Sequence, residues 1–191
     1  MKLDVRILNA SLFALMLAAC DGGPSLPRVS GIDGAVRFTY SGARNGTYSA
    51  AGAADGFSPS YAYADRSSDG WTAVYTTWAR QDGSRISLTI AFPTPSGPTT
   101  VGFDWRKCLQ DGPCPGGTVF FVPPQAPFAA GDRARDVAQD VFSYARGTIR
   151  ITSVTAGRIR GTFSGSGNSQ AVTTDELSLS DGAFDVPIVS Q

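Results

Sequence analysis

The chain has 191 residues, with sixteen Lys and Arg against sixteen Asp and Glu, three cysteines and no histidine. So even a balance argues against nucleic acid as partner, because phosphate binding draws on a clustered positive excess. Without histidine there is no Ser-His-Asp triad and no imidazole general base.

The first element in chain order is an export signal. Lys2 and Arg6 supply positive charge, offset in part by Asp4, and Ile7 to Ala18 is apolar except for Asn9 and Ser11. This run is too short and too interrupted for a permanent spanning helix, and it fits the apolar region of a signal peptide. It ends in Leu17-Ala18-Ala19-Cys20, which resembles a bacterial lipobox. The resemblance implies that the Cys20 thiol is diacylated, palmitate being the expected kind of chain, and becomes the first residue after cleavage. Two or three acyl chains anchor stably, since each buried methylene contributes roughly 0.8 kcal/mol and one chain alone is marginal. The expected address is the cell envelope, with the protein lipid-anchored to a membrane and facing the periplasm or the exterior. Asp21 resembles the residue that retains enteric lipoproteins in the inner membrane.

Residues 1–19 are therefore read as the signal peptide, expected to be helical, residues 20–30 as a flexible tether, and residues 31–191 as a single domain. The tether Gly22-Gly23-Pro24-Ser25-Leu26-Pro27 has no apolar periodicity and carries two prolines. Loss of Lys2, Arg6 and Asp4 leaves fourteen basic against fifteen acidic residues, with Lys107 the only lysine.

From Gly31 onward the pattern predicts an all-β fold. Val36, Phe38 and Tyr40 alternate with polar residues, Asn45-Gly46 marks a turn, and Thr47 to Ala51 begins a second strand. Asp65 to Gly70 is read as a solvated hairpin loop, lacking the regular alternation and terminal Glu of a calcium loop. Trp71 to Arg80 and Arg85 to Phe92 pair across Gln81-Asp82-Gly83. Thr99 to Phe103 and Thr118 to Val122 are short strands flanking the segment that holds Cys108 and Cys114. Turn residues Asp111-Gly112-Pro113 bring those thiols toward each other, so an exported protein is expected to join them as a disulfide worth about 2–3 kcal/mol. Metal binding is not expected, because two thiolates without histidine do not complete a zinc site.

Arg133 to Gln139 is the one candidate for a short helix after the signal. Beyond it, Phe142 to Val154 and Arg158 to Gly165 form a long hairpin, with Ile149 and Ile151 facing Ile159 and Phe163. Residues 165–169 read as a loop, and a last hairpin turns at Ser180-Asp181-Gly182, its Pro187 pointing to an edge strand. About eight to ten short strands joined mostly by hairpins imply an antiparallel meander closed as a β-sandwich or an up-and-down, lipocalin-like barrel.

The runs Gly147-Thr-Ile-Arg-Ile-Thr-Ser, Arg158-Ile-Arg-Gly-Thr-Phe-Ser and Leu179-Ser-Asp-Gly-Ala-Phe-Asp-Val-Pro resemble a group of uncharacterised bacterial lipoproteins with a β-rich C-terminal domain. The resemblance covers about the last quarter of the chain in detail. It implies the fold and brings no catalytic residues.

Aromatic side chains are the candidate ligand contacts. Trp71 and Tyr75 share one face of their strand and Trp78 the other, so one set is core and the other outward; Tyr61, Tyr63 and Trp105 are further candidates near loops. Exposed rings on a β-surface stack on sugars or line an apolar pocket. The expected function is that of a lipid-anchored envelope domain with a structural or interaction role, neither an enzyme nor a cofactor carrier. Its partners would be the membrane through the anchor and a protein, glycan or apolar small molecule. The alternatives are a lipocalin-like carrier of a small apolar ligand, or a carbohydrate-binding module or enzyme.

Overall fold

The computed structural model describes residues 33–53, 60–108, 114–124 and 140–189. The expected signal peptide (residues 1–19), the expected tether (residues 20–30) and the helix expected at Arg133 to Gln139 lie outside the described residues.

Ten strands alternate apolar with polar residues along most of their length, which places one row inside and one outside. They are β1 (Gly34–Gly42), β2 (Gly46–Gly52), β3 (Tyr61–Arg66), β4 (Trp71–Ala79), β5 (Arg85–Pro93), β6 (Thr99–Asp104), β7 (Gly116–Val122), β8 (Asp140–Val154), β9 (Arg158–Ser169) and β10 (Glu176–Val189). A one-turn helix, α1 (Trp105–Cys108), follows β6. The all-β expectation holds, and so do the β1–β2, β4–β5 and β8–β9 hairpins.

Seven strands close a ring in the order β10, β3, β4, β5, β7, β8, β9. Every pairing in it is antiparallel except β10 on β3, where Ile188 and Val189 lie beside Ala64 and Asp65. The strands β1 and β2 extend the sheet from the other part of β10, and β6 extends it from β8. The result is a six-stranded layer, β2-β1-β10-β9-β8-β6, that curls over β3-β4-β5-β7.

The two layers meet through rings. Tyr40 on β1 reaches Phe121 on β7 at 5.5 Å between centroids, Tyr48 on β2 reaches Trp78 on β4 at 6.0 Å, and Phe92 on β5 reaches Phe184 on β10 at 6.3 Å. Burying a side chain of this size contributes roughly 1.5–3 kcal/mol. The Tyr48 tip in this interior is satisfied, since Thr76 donates to the Tyr61 carbonyl at 2.9 Å and Tyr48, 2.7 Å away, donates its hydroxyl to Thr76, whereas the buried Tyr144 hydroxyl has no partner among the described residues. At the Tyr40 and Phe121 end, Arg44 pairs with Asp140 while lying over the Phe121 ring. Arg80 donates to the Tyr40 hydroxyl at 3.0 Å and covers Trp78.

Three local expectations are corrected. Asp181-Gly182 is not a hairpin turn but a bulge inside one continuous strand, because β10 is held on both edges by β1 and β9 and the ladder overrides the turn signal. Asp181 takes the left-handed conformation there (φ 52°), which aspartate tolerates better than most residues. Residues 165–169 are strand, because Gly165 and Gly167 let β9 pass close beneath Tyr144. Pro187 lies in a central strand: Ile188 donates to the Gly157 carbonyl, so the adjacent proline nitrogen faces the opposite edge, in the gap where β1 has ended and β3 begins. No ladder bond is lost there. The β8–β9 register opposes Ile149 to Phe163 as expected, but Ile151 to Gly161 and Val154 to Ile159.

A Cβ at Gly167 would overlap the Ser143 carbonyl and crowd Tyr144. Gly167→Ala is expected to lower unfolding stability by about 1–3 kcal/mol. Gly157→Ala, with open space around it, should stay within about 0.5 kcal/mol of the parent. Urea denaturation of both variants checks this, and equal midpoints would count against it.

Candidate functional site

Two outward faces carry the candidate chemistry. The first belongs to β3 and β4. Trp71, Ala73 and Tyr75 lie on the outer face of β4, and Trp78 turns inward against Tyr48 and the core. The question left open by alternation is therefore settled: Trp78 is a packing residue, and the outward pair is Trp71 and Tyr75.

Tyr75 stands directly opposite Tyr63, with ring centroids 5.4 Å apart, and Tyr61 adds a third ring 5.7 Å from Tyr63. Trp71 is separated from Tyr75 by Ala73 and sits at the strand end opposite Pro93. The structure thus assembles a row of three tyrosines and does not bring Trp71 into it. Trp105 opens α1, and its side chain lies outside what is described. All four rings of the β3–β4 face are half-buried. Burial, followed by neighbouring Tyr61, Tyr75 and Asp65, pushes the Tyr63 phenol up to about 12.

The second face is the outside of the six-stranded layer. Cross-strand register lines up Thr100, Arg150, Thr162, Ala183 and Arg37 in one row across β6, β8, β9, β10 and β1. Thr148 and Ser164 form the adjacent row, and Asp181 stands at the bulge. Together these residues line an open groove of about 440 Å³ whose base is Gly182 and the edge of Phe163. None of them was singled out from sequence. The signal was present in the alternation of Thr148, Arg150 and Thr152 with Ile149 and Ile151, but the row forms only once β1 and β6 join the layer.

Elsewhere on this layer the outward charges are matched. Arg146 pairs with Glu176, and both Arg158 and Arg160 reach Asp185. Burial alone would raise the Asp185 carboxyl, but hydrogen bonds and charge from the two arginines hold it below its usual value.

Cys108 ends α1 and Cys114 precedes β7; both are half-buried and both are free thiols, so the expected disulfide is not formed in this structure. Among the described residues no cluster of three or more Cys, Asp or Glu could hold a metal ion, and no helix is long and apolar enough to cross a membrane. Cys20 lies outside the described residues. No protein-family model, curated protein or solved structure matches the chain.

The tyrosine row has a consequence in alkali. A phenol whose pKa is higher in the folded than in the unfolded state contributes stability that is full below about pH 10 and is lost as the pH rises through the folded value. Tyr63 is therefore expected to ionise only near pH 12. Stability should fall across pH 10 to 12, and Tyr63→Phe should reduce that fall. Tyrosinate absorbance and urea midpoints against pH measure both; a Tyr63→Phe profile identical to the parent's would contradict the assignment.

Proposed function

We propose that this protein is a lipid-anchored domain of the cell envelope with a non-catalytic structural or interaction role exercised on its outer surface. The anchor is Cys20, acylated after an apolar run that ends in Leu17-Ala18-Ala19. The tether that follows holds the β domain on the periplasmic or external side of its membrane, and Asp21 favours the inner one.

The observation that carries the role is the filling of the ring. Phe92, Phe121, Phe142, Phe163 and Phe184 lie in one buried cluster with Tyr48, Leu88, Ile149 and Val186; Phe184 pairs with both Phe92 and Phe163, and Phe121 pairs with Phe142. A lipocalin-like carrier would hold its apolar ligand where these side chains pack, and would open where Arg44 and Arg80 lie over the end rings. Recognition on an outer face is the better supported reading. The candidate partners are a protein or a glycan, in addition to the membrane that holds the anchor.

Export also bears on the cysteines. Cys108 and Cys114 join as a disulfide in the oxidising envelope and tie α1 to the start of β7, acting as a structural staple for that loop.

Cys20→Ser is expected to abolish acylation and move the protein from the membrane to the soluble fraction; membrane fractionation unchanged from the parent would refute the anchor. For the staple, native protein treated with a thiol alkylator should show both Cys108 and Cys114 unlabelled until a reductant is added. Quantitative labelling without reductant would show that the bond does not form.

A further inference from the structure

The groove on the six-stranded layer differs from the rest of that face in its charge. Among the described residues, Arg37 and Arg150 make no hydrogen bond or ion pair, while Arg146, Arg158 and Arg160 on the same layer all have carboxylate partners. The unpaired guanidinium groups are thus gathered at one place. They stand in one register row with Thr162 and Ala183 between them, three strand spacings or about 14 Å apart. Ala183 and Gly182 keep the floor low between the two long side chains.

A second feature coincides with the first. Asp181, the one non-glycine residue of positive φ among those described, lines the same groove. Sparsely populated backbone conformations persist where the surroundings enforce them, and they cluster at binding sites. The bulge here sets a carboxylate beside the hydroxyls of Thr148, Ser164 and Thr162. Each hydroxyl both donates and accepts, the carboxylate accepts, and the two guanidinium groups donate in the fork geometry that matches carboxylates.

We propose that this groove binds an acidic oligosaccharide, a chain of sugar rings that carries carboxylates at intervals. Arg37 and Arg150 take the carboxylates at the two ends, and Asp181 with the threonine and serine hydroxyls takes the sugar hydroxyls between them. Two positive groups set apart along a hydroxyl-lined floor match a spaced polyanion better than one compact anion, for which the donors would converge. The volume of about 440 Å³ falls in the range of small-ligand clefts, roughly 300–1,000 Å³. The site rests on the interaction role proposed above but not on the anchor, since an unanchored protein would present the same groove.

Titration calorimetry on the full mature protein in detergent tests the proposal, with oligogalacturonate and alginate oligomers as probes. A neutral oligosaccharide of equal length and inorganic phosphate serve as comparators. The acidic oligomers are expected to bind, with affinity falling as salt is raised. The R37A/R150A double variant should weaken binding roughly tenfold or more, as loss of charged hydrogen bonds implies. R146A, outside the groove, should leave binding unchanged. Both groove arginines are exposed, so a thermal melt confirms that the double variant is folded. The site is refuted if neither acidic oligomer binds, or if the double variant binds as well as the parent. Equal binding of the neutral oligomer, or displacement by phosphate at matching concentration, would overturn the assignment to acidic sugars. None of these outcomes touches the Cys20→Ser fractionation, which judges the anchor alone.

Discussion

The architecture depends on one strand serving three neighbours. β10 is bonded to β9 along one edge, while its other edge carries β1 first and β3 afterwards. A straight strand cannot lie in two differently oriented layers, so β10 must bend between them. The bulge at Asp181 and the donor-free nitrogen of Pro187 are the two places where it departs from a regular ladder. β8 shows the same device in reverse, pairing with β7 over its first residues and with β6 farther on, with β9 along its opposite edge. Between these two shared strands β9 is glycine-rich, which lets the rings of Tyr144 and Phe184 fold over Gly165 and Gly161.

The parts of this fold that could be read from sequence are those whose information is local. A turn dipeptide with alternating neighbours specifies a hairpin, and Asn45-Gly46, Gln81-Asp82-Gly83 and Thr155-Ala156-Gly157 all did so. The failures share one cause. Asp181-Gly182 has the composition of a turn and Gly165 to Ser169 that of a loop, yet both lie in strands, because ladder pairing overrides local composition: the far-off β1 holds the one, and β8 and β10 flank the other on both edges. Pro187 misled in the same way, since its tolerance comes from a change of neighbour that only the tertiary pairing creates.

The candidate residues divide along the same line. Alternation placed Trp71 and Tyr75 together and Trp78 opposite, but which face was interior depended on β2, whose Tyr48 packs on Trp78. Tyr61 and Tyr63 complete the outward row only because β3 pairs with β4 in a register that sets Tyr63 against Tyr75. The arginine groove was further from view, since it takes residues from five strands between Arg37 and Ala183. Near-neutral net charge concealed it as well: charge summed over the chain says nothing about which arginines lack a carboxylate beside them.

The position of β10 in the chain also bears on how the protein comes to be folded. The strand that stands at the centre of the sheet is the last of the ten to be synthesised. Until it arrives, β1 has only β2 to pair with, β9 has one open edge, and the ring cannot close. Such late, long-range closure makes folding slow and leaves the growing chain without a finished intermediate to settle into. The completed β domain therefore becomes available only after the final strand has been delivered.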